Sequence, residues 1–403
     1  MIYIEIPEKA KVYHELYLTE DYEGRKSLKS KITKFRSYHI ARECYCTIKE
    51  GKLNKKCAHE MSNDIRDCFV QVYDFILAKF KEIVIGDLDT LYSMHQQYEQ
   101  LIKRFFKSGE KYKSVNFKKG YEFLYRELKD IFINSYKSLS ENNKIEYNGE
   151  STMWGAYIYV DLLECTVCPY CNAQFIITVK KHSNSQIKGR TRADLDHFLA
   201  KSKVPIFACS LYNLVPSCKI CNSSFKHQQE TDYHKHFSPF DKRINNYFRF
   251  QRTFNKNADE EDEPYKEKET NGDTKPEKKV YDYVNAILGE SNDFQLSITP
   301  NPELDLTDKK LLDDKVINNT NLFRLDDVYK HHRAYVQKMI QHAKIYNLVY
   351  LEQLKGNFPI IFNNQEQFQY FIQTPKDEMK HTILGKVTTD IIKYEIKSSK
   401  LYK

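Results

Sequence analysis

Glycine is scarce in this chain, at 12 of 403 residues. That leaves little room for a glycine-rich phosphate loop, and none is found. No apolar run approaches the ~18 residues needed to span a bilayer, which excludes a transmembrane protein. The opening stretch, MIYIEIPEKAKVYHEL, has no basic segment followed by an apolar one, so no secretory signal is expected and the chain reads as cytoplasmic. No internal repeat is evident.

What is present is ample for folding. Hydrophobic residues make up 41% of the chain and aromatics 14%, enough to bury real cores. At roughly 150 residues per domain the length suggests two or three domains. The 63 basic and 55 acidic residues leave a net charge of +8, which permits a polyanionic partner without demanding one. The ten cysteines say more. In a reducing compartment, clustered cysteines are metal ligands or buried thiols rather than disulfides.

Apolar spacing predicts helices over the first ~150 residues. One carries Ile65, Phe69, Val72, Tyr73, Ile76 and Phe80. Gly86 ends that pattern and Asp87 caps a second helix, bearing Leu91, Tyr98, Ile102 and Phe105. A third carries Leu124, Leu128, Ile131 and Phe132. Between the last two, residues 103–120 interleave lysines with aromatics, a pattern that can grip a nucleic-acid backbone but reads first as a solvated connection. Residues 151–245 are rich in Cys, His and Asn, with short β-like runs such as Phe175 to Val179. The polar stretch 255–279 has no periodicity and is expected to be a linker or exposed insertion. From 281 to 403 the pattern is again helical: a long helix through Leu322, Leu325, Val328, Val336, Ile340 and Ala343, then shorter ones near 366–372 and 385–396. The expected class is α+β, with a helical region 1–150, a cysteine-framed core 151–245, a charged segment 246–280 and a helical region 281–403.

Two Cys-x-x-Cys pairs bracket the central core, Cys168 with Cys171 and Cys218 with Cys221. Each knuckle points two thiolates at one place, and two knuckles complete a closed tetrahedral site for structural zinc. A redox dithiol would not need the second pair. Cys165 extends the first run and leaves a ligand swap open, while Cys209 reads as a small buried residue. Between the knuckles, Asp194, Asp196 and His197 close a predicted strand, and Asn213 precedes a second one, Leu214-Val215-Pro216. Asn222 follows the last cysteine, where a helix should begin, with Lys226 one turn later on the same face.

This arrangement resembles the HNH endonucleases, the ββα-metal superfamily, in its zinc-knuckle subtype. The resemblance covers about a fifth of the chain and rests on D-x-D-H at 194–197, the middle Asn213 and Asn222 at the final metal position. Ala200 departs from the family's usual DHF-x-P-K-S wording. The resemblance implies hydrolysis of a phosphodiester, most plausibly in DNA, by a one-metal mechanism. His197 would be the general base. Asp196 and Asn222 would hold Mg2+ or Mn2+ as oxygen donors. Asn213 would orient the loop and imidazole, Lys226 would contact a phosphate oxygen, and Asp194 would support the metal shell. RNA as substrate and an inactive binding module are the competing readings. Bacterial HNH proteins of this layout are similar to effectors of anti-phage defence, several of which pair with an ABC-type ATPase, as in Septu-like systems.

Two further clusters stand apart. Cys44, Cys46, Cys57 and His59 have poor spacing for zinc and read as ordinary thiols. His234 and His236 follow the core closely and read as local hydrogen-bonding groups, with Phe237 and Phe240 anchoring the chain.

Overall fold

The computed structural model describes residues 1–43, 61–107, 115–180, 189–227, 229–254, 283–301, 309–345, 348–359 and 378–400. The cluster at 44–59, the charged stretch 255–279 and the helix predicted at 366–372 lie outside the described residues. The described chain is mixed α+β, mainly helical with small two-stranded sheets, and forms two compact units. One comprises Tyr3–Pro169 and Phe175–Lys242, the other Met1–Ile2, Tyr170–Gln174 and Arg243–Lys403. The helical region and the cysteine-rich core, read from sequence as successive segments, thus share one unit for most of their length.

In the first unit the helices form where the apolar stripes predict. Asn63–Ala78 buries Ile65, Phe69, Val72, Tyr73 and Ile76 on one face. Its stripe turns at Lys79 into a short helix, Phe80–Ile85. Gly86 follows that helix at a position where any Cβ would lie 2.3 Å from the Glu82 carbonyl oxygen, so only glycine fits there. Asp87 then caps Leu88–Ile102, its carboxylate accepting from the Thr90 amide at 3.0 Å and so satisfying one orphan donor of the first turn. The long helix Val115–Leu139 packs against Asn63–Ala78. Phe69 is fully buried at the centre, stacked on Phe123 with ring centroids 5.8 Å apart and against His39 at 5.0 Å. Burying such a ring contributes roughly 1.5–3 kcal/mol. In the basic-aromatic stretch, Phe106 is fully buried beside Phe69 and Tyr121, so its aromatic belongs to the core rather than to a grip on nucleic acid.

Strands β1 (Asn143–Tyr147) and β2 (Glu150–Trp154) form a hairpin. Asn148 and Gly149 turn it with φ of 54° and 79°, the backbone that a two-residue hairpin turn requires. It delivers Trp154 into the core, where its indole N–H donates to His14 Nδ1 at 3.3 Å. His14 Nε2 in turn meets the Cys209 carbonyl at 2.6 Å. Cys209 is buried as expected, with its thiol pushed up to about 12 by that burial. The run Phe175 to Val179 does not form a strand. It makes only isolated bridges, Val167 with Phe175 and Val179 with Thr191, and Phe175, Ile177 and Val179 are exposed while Ile176 is buried.

The second unit is less helical than its sequence suggests. Strands β5 (Phe248–Thr253) and β6 (Gln295–Pro300) pair antiparallel, and helix Gly385–Lys400 lies on β5. Arg252 reaches Glu395 through two bonds of 2.7 and 2.9 Å, both side chains buried. The long helix expected from 322 to 343 is three: Lys309–Leu322, Leu325–Lys330 and Arg333–Ile345. Arg324 adopts φ 47°, breaking the first two apart while Phe323 stacks on Tyr170 at 4.2 Å. No helix among the described residues is long and apolar enough to cross a membrane.

Candidate active site

The two knuckles fold together. Cys168, Cys171, Cys218 and Cys221 are all buried, and their sulfurs lie within 4.8 Å of one another. Four buried thiols at that spacing suit a metal such as zinc, and four protein ligands leave no open position for chemistry. Backbone amides support the sulfurs: Ala173 N–H points at Cys171 Sγ at 3.5 Å and Cys221 N–H at Cys218 Sγ at 3.4 Å. Cys165 does not join. Its thiol donates to the Val167 carbonyl at 3.1 Å instead.

Between the knuckles, β3 (Asp194–His197) pairs antiparallel with β4 (Leu214–Ser217), and Asp196 stands opposite Val215. Ile220–Lys226 then forms one wide helical turn, with His227 N–H bonding the Asn222 carbonyl five residues back. The sequence thus places each element within a residue or two of the observed one. Alternation along β3 puts Asp194 and Asp196 on one face. Two strand residues advance ~6.6 Å and four helical residues ~6 Å, so the strand and helix can meet in register. They do. Asn222 Nδ2 donates to Asp194 at 3.3 Å, and Lys226 Nζ donates to both oxygens of Asp196 at 2.7 and 2.9 Å.

Lys226 is where the structure departs most from expectation. It was expected to meet a phosphate, yet it is buried, and its ammonium also reaches the carbonyls of His197 at 2.6 Å and Phe198 at 3.2 Å. Desolvation lowers its pKa, against the pull of Asp196. The residue is an internal counter-charge that ties the turn to β3. Its chain is long enough to reach past the helix surface to the buried Asp196 carboxylate, which spacing alone does not reveal.

His197 follows Asp196 on the strand, so its ring leaves from the opposite face. Nε2 meets the Ala208 carbonyl at 3.0 Å, and the ring stands edge-on to Tyr136 with centroids 4.5 Å apart. Because a carbonyl only accepts, Nε2 carries the proton and Nδ1 the lone pair. Burial, helped by the charge of Lys201, lowers the pKa to about 3, so the imidazole is neutral at pH 7. Lys201 lies over the Tyr136 ring at 4.7 Å, and its own pKa is lowered by burial and opposed by Asp196. One lysine therefore feels both the imidazole and the carboxylate.

Asn213 is fully buried and satisfied by three bonds: it accepts from Leu199 N–H at 2.6 Å and donates to the carbonyls of Leu199 at 3.1 Å and Phe207 at 2.9 Å. It clamps the two ends of the 198–208 loop. The imidazole is held by Ala208, one residue beyond that clamp, and not by Asn213 directly. Tyr136, Lys201 and Ala208 were not singled out from sequence. Lys201 was within reach, four residues after His197, but Tyr136 arrives from a distant helix and Ala208 acts through its backbone. His236 behaves as the local group expected, its Nδ1 taking the Asp232 amide at 3.3 Å, whereas His234 meets Tyr92 on the distant helix Leu88–Ile102.

No family model, curated protein or solved structure matches the chain. The functional reading therefore stands on this geometry and on the motif.

Proposed function

We propose that the protein is a metal-dependent HNH-type endonuclease that hydrolyses phosphodiester bonds in DNA. The observation that carries this reading is the strand-to-helix ladder, Asp194 with Asn222 and Asp196 with Lys226, built next to a neutral buried imidazole and framed by four cysteines. Zinc held by Cys168, Cys171, Cys218 and Cys221 would staple the helical turn to the hairpin and supply fold rather than chemistry.

The catalytic cation, Mg2+ or Mn2+, would be held by Asp196 and Asn222 and would stabilise the charge on the scissile phosphate and leaving oxygen. The donor set fits. Asn222 turns its amide nitrogen to Asp194, which leaves its oxygen directed elsewhere. Each Asp196 oxygen accepts from Lys226, and a carboxylate oxygen can take more than one contact. His197 would take a proton from water at Nδ1, while the Ala208 carbonyl fixes its tautomer. Asn213 holds the loop that carries both. With Lys226 committed inward, the phosphate-facing cation in this reading is Lys201. A defence role and an ATPase partner rest on the resemblance alone.

The test is plasmid nicking in a metal series, alongside matched RNA. Nicking that needs Mg2+ or Mn2+ and disappears in His197→Ala at unchanged zinc content supports the reading. Cleavage of RNA alone assigns the other substrate, and salt-sensitive binding without cleavage under any metal leaves a binding module.

A further inference from the structure

The short segment 207–211 carries the carbonyl that holds the His197 imidazole, and it is fixed residue by residue. The Phe207 carbonyl accepts from Asn213 at 2.9 Å, and the Leu211 carbonyl from the Tyr159 hydroxyl at 3.2 Å. The Cys209 thiol donates to the Phe132 carbonyl at 3.4 Å, and the Ser210 hydroxyl to that of Ile83. The whole segment is buried. Within this frame two neighbouring carbonyls each take an imidazole: Ala208 that of His197 at 3.0 Å, and Cys209 that of His14 at 2.6 Å. His14 comes from helix Glu8–Thr19, outside the cysteine-framed core, and is fully buried. Its Nδ1 accepts from the Trp154 indole at 3.3 Å, so both ring nitrogens are engaged and Nε2 carries the proton. The two carbonyls belong to consecutive planar peptides, joined only through φ and ψ of Cys209. Fixing one plane therefore limits the tilt of the other.

We propose that His14 is a positioning residue for the proposed cleavage, orienting the His197 imidazole through the Cys209 and Ala208 carbonyls. The catalytic part rests on the nuclease reading; the coupling of the two imidazoles stands on the hydrogen bonds alone. A general base works only when its lone pair is aimed at the water it deprotonates, here from Nδ1. The Ala208 carbonyl keeps that nitrogen bare by holding the proton on Nε2. A buried carbonyl that loses its donor is costly, so without His14 the Cys209 carbonyl turns toward another partner. That turn carries the Ala208 carbonyl off the line of the Nε2–H bond. The proton is then free to move to Nδ1, and that tautomer cannot serve as the base. A misplacement of ~1 Å far from the chemistry can cost about a hundredfold in rate, so a small rotation at Cys209 is enough.

Two substitutions separate positioning from packing. A glutamine amide nitrogen reaches as far as imidazole Nε2, whereas an asparagine side chain reaches only to the place of Nδ1. His14→Gln therefore keeps a donor for Cys209, and His14→Asn loses it while keeping an acceptor for Trp154. Proton–nitrogen correlation spectra of the full chain with isotope-labelled histidine report the tautomer of each ring, His197 being the signal lost in His197→Ala. The parent and His14→Gln should show His197 in the Nε2–H form alone, and His14→Asn a mixture. In plasmid nicking with Mn2+, His14→Asn should lower kcat roughly tenfold to a hundredfold at unchanged KM and zinc content, with His14→Gln within roughly threefold of the parent. Should His14→Asn not fold, Trp154→Phe keeps an aromatic ring, removes the donor to Nδ1 and frees the tautomer of His14, and it should move the His197 signal in the same direction. A His197 spectrum unchanged in the folded variant would overturn the proposal, as would equal losses of kcat in His14→Gln and His14→Asn. A parent that cuts no nucleic acid sinks the nuclease reading and the catalytic role with it, and the spectra then decide the coupling alone.

Discussion

Replacing Lys226 with methionine isolates the contact that locks the helical turn to the strand. The side chain keeps its apolar length and loses only the ammonium. Asp196 then remains buried with neither of its 2.7 and 2.9 Å bonds, and the carbonyls of His197 and Phe198 lose a donor. Removing one member of a buried pair costs ~3–5 kcal/mol, because the remaining charge is stranded away from water. For a unit of this size, 1 kcal/mol shifts the melting temperature by roughly 2–4 °C, so the variant should melt about 6–20 °C below the parent. Two additions separate the electrostatic account from lost packing. Asp196→Asn in the Lys226→Met background should recover much of the loss, since no buried charge is left. Mn2+ should raise the melting temperature of Lys226→Met more than that of the double variant, because a cation at Asp196 replaces the missing ammonium. Thermal melts with and without Mn2+ on the four proteins complete the cycle. A loss below ~1 kcal/mol, or an additive double variant, would refute the reasoning.

Cys218→Ser should lower bound zinc from one to well below one per chain by elemental analysis and expose the core to proteolysis, as expected for a site whose metal supplies folding energy; full zinc retention would rule out that ligand. Acid should destabilise the first unit through His14. Its folded pKa is lowered to about 4 by burial, and both ring nitrogens are committed in the neutral form, so its contribution is intact above pH ~6.5 and falls away toward pH 4. Urea unfolding across that window should show a loss of about 3 kcal/mol from this residue, absent in His14→Asn, and equal slopes in both proteins would contradict it. Gly155→Ala should be strongly destabilising, since the added Cβ would lie 2.2 Å from the Glu141 carbonyl oxygen; a melting temperature within 2 °C of the parent, an arbitrary margin of roughly 1 kcal/mol or less, would show that the backbone yields.

The parts of the site legible in sequence are those with short-range signatures. The knuckles announce themselves by spacing, the two strands by short apolar runs beside polar donors, and the first-unit helices by apolar period. What was hidden depends on long side chains and distant elements. Lys226 looked like a surface cation one turn into a helix, yet its stem reaches inward to Asp196. Tyr136 meets His197 from the far end of a 25-residue helix, a contact no local pattern encodes. In the second unit the apolar stripe through Leu322, Leu325 and Val336 ran on in period while the backbone broke at Arg324, since periodicity records which face is buried and not whether the axis is continuous. The β5–β6 pair was missed because the two strands lie on either side of the charged stretch, with no turn signature joining them.

The claim on which the rest depends is that this cysteine-framed hairpin and turn cut a phosphodiester through His197. The most direct measurement is supercoiled-plasmid conversion by zinc-loaded protein with Mn2+, run beside His197→Ala of equal zinc content and equal melting temperature. The account predicts nicked product from the parent alone, and equal conversion by both proteins would contradict it.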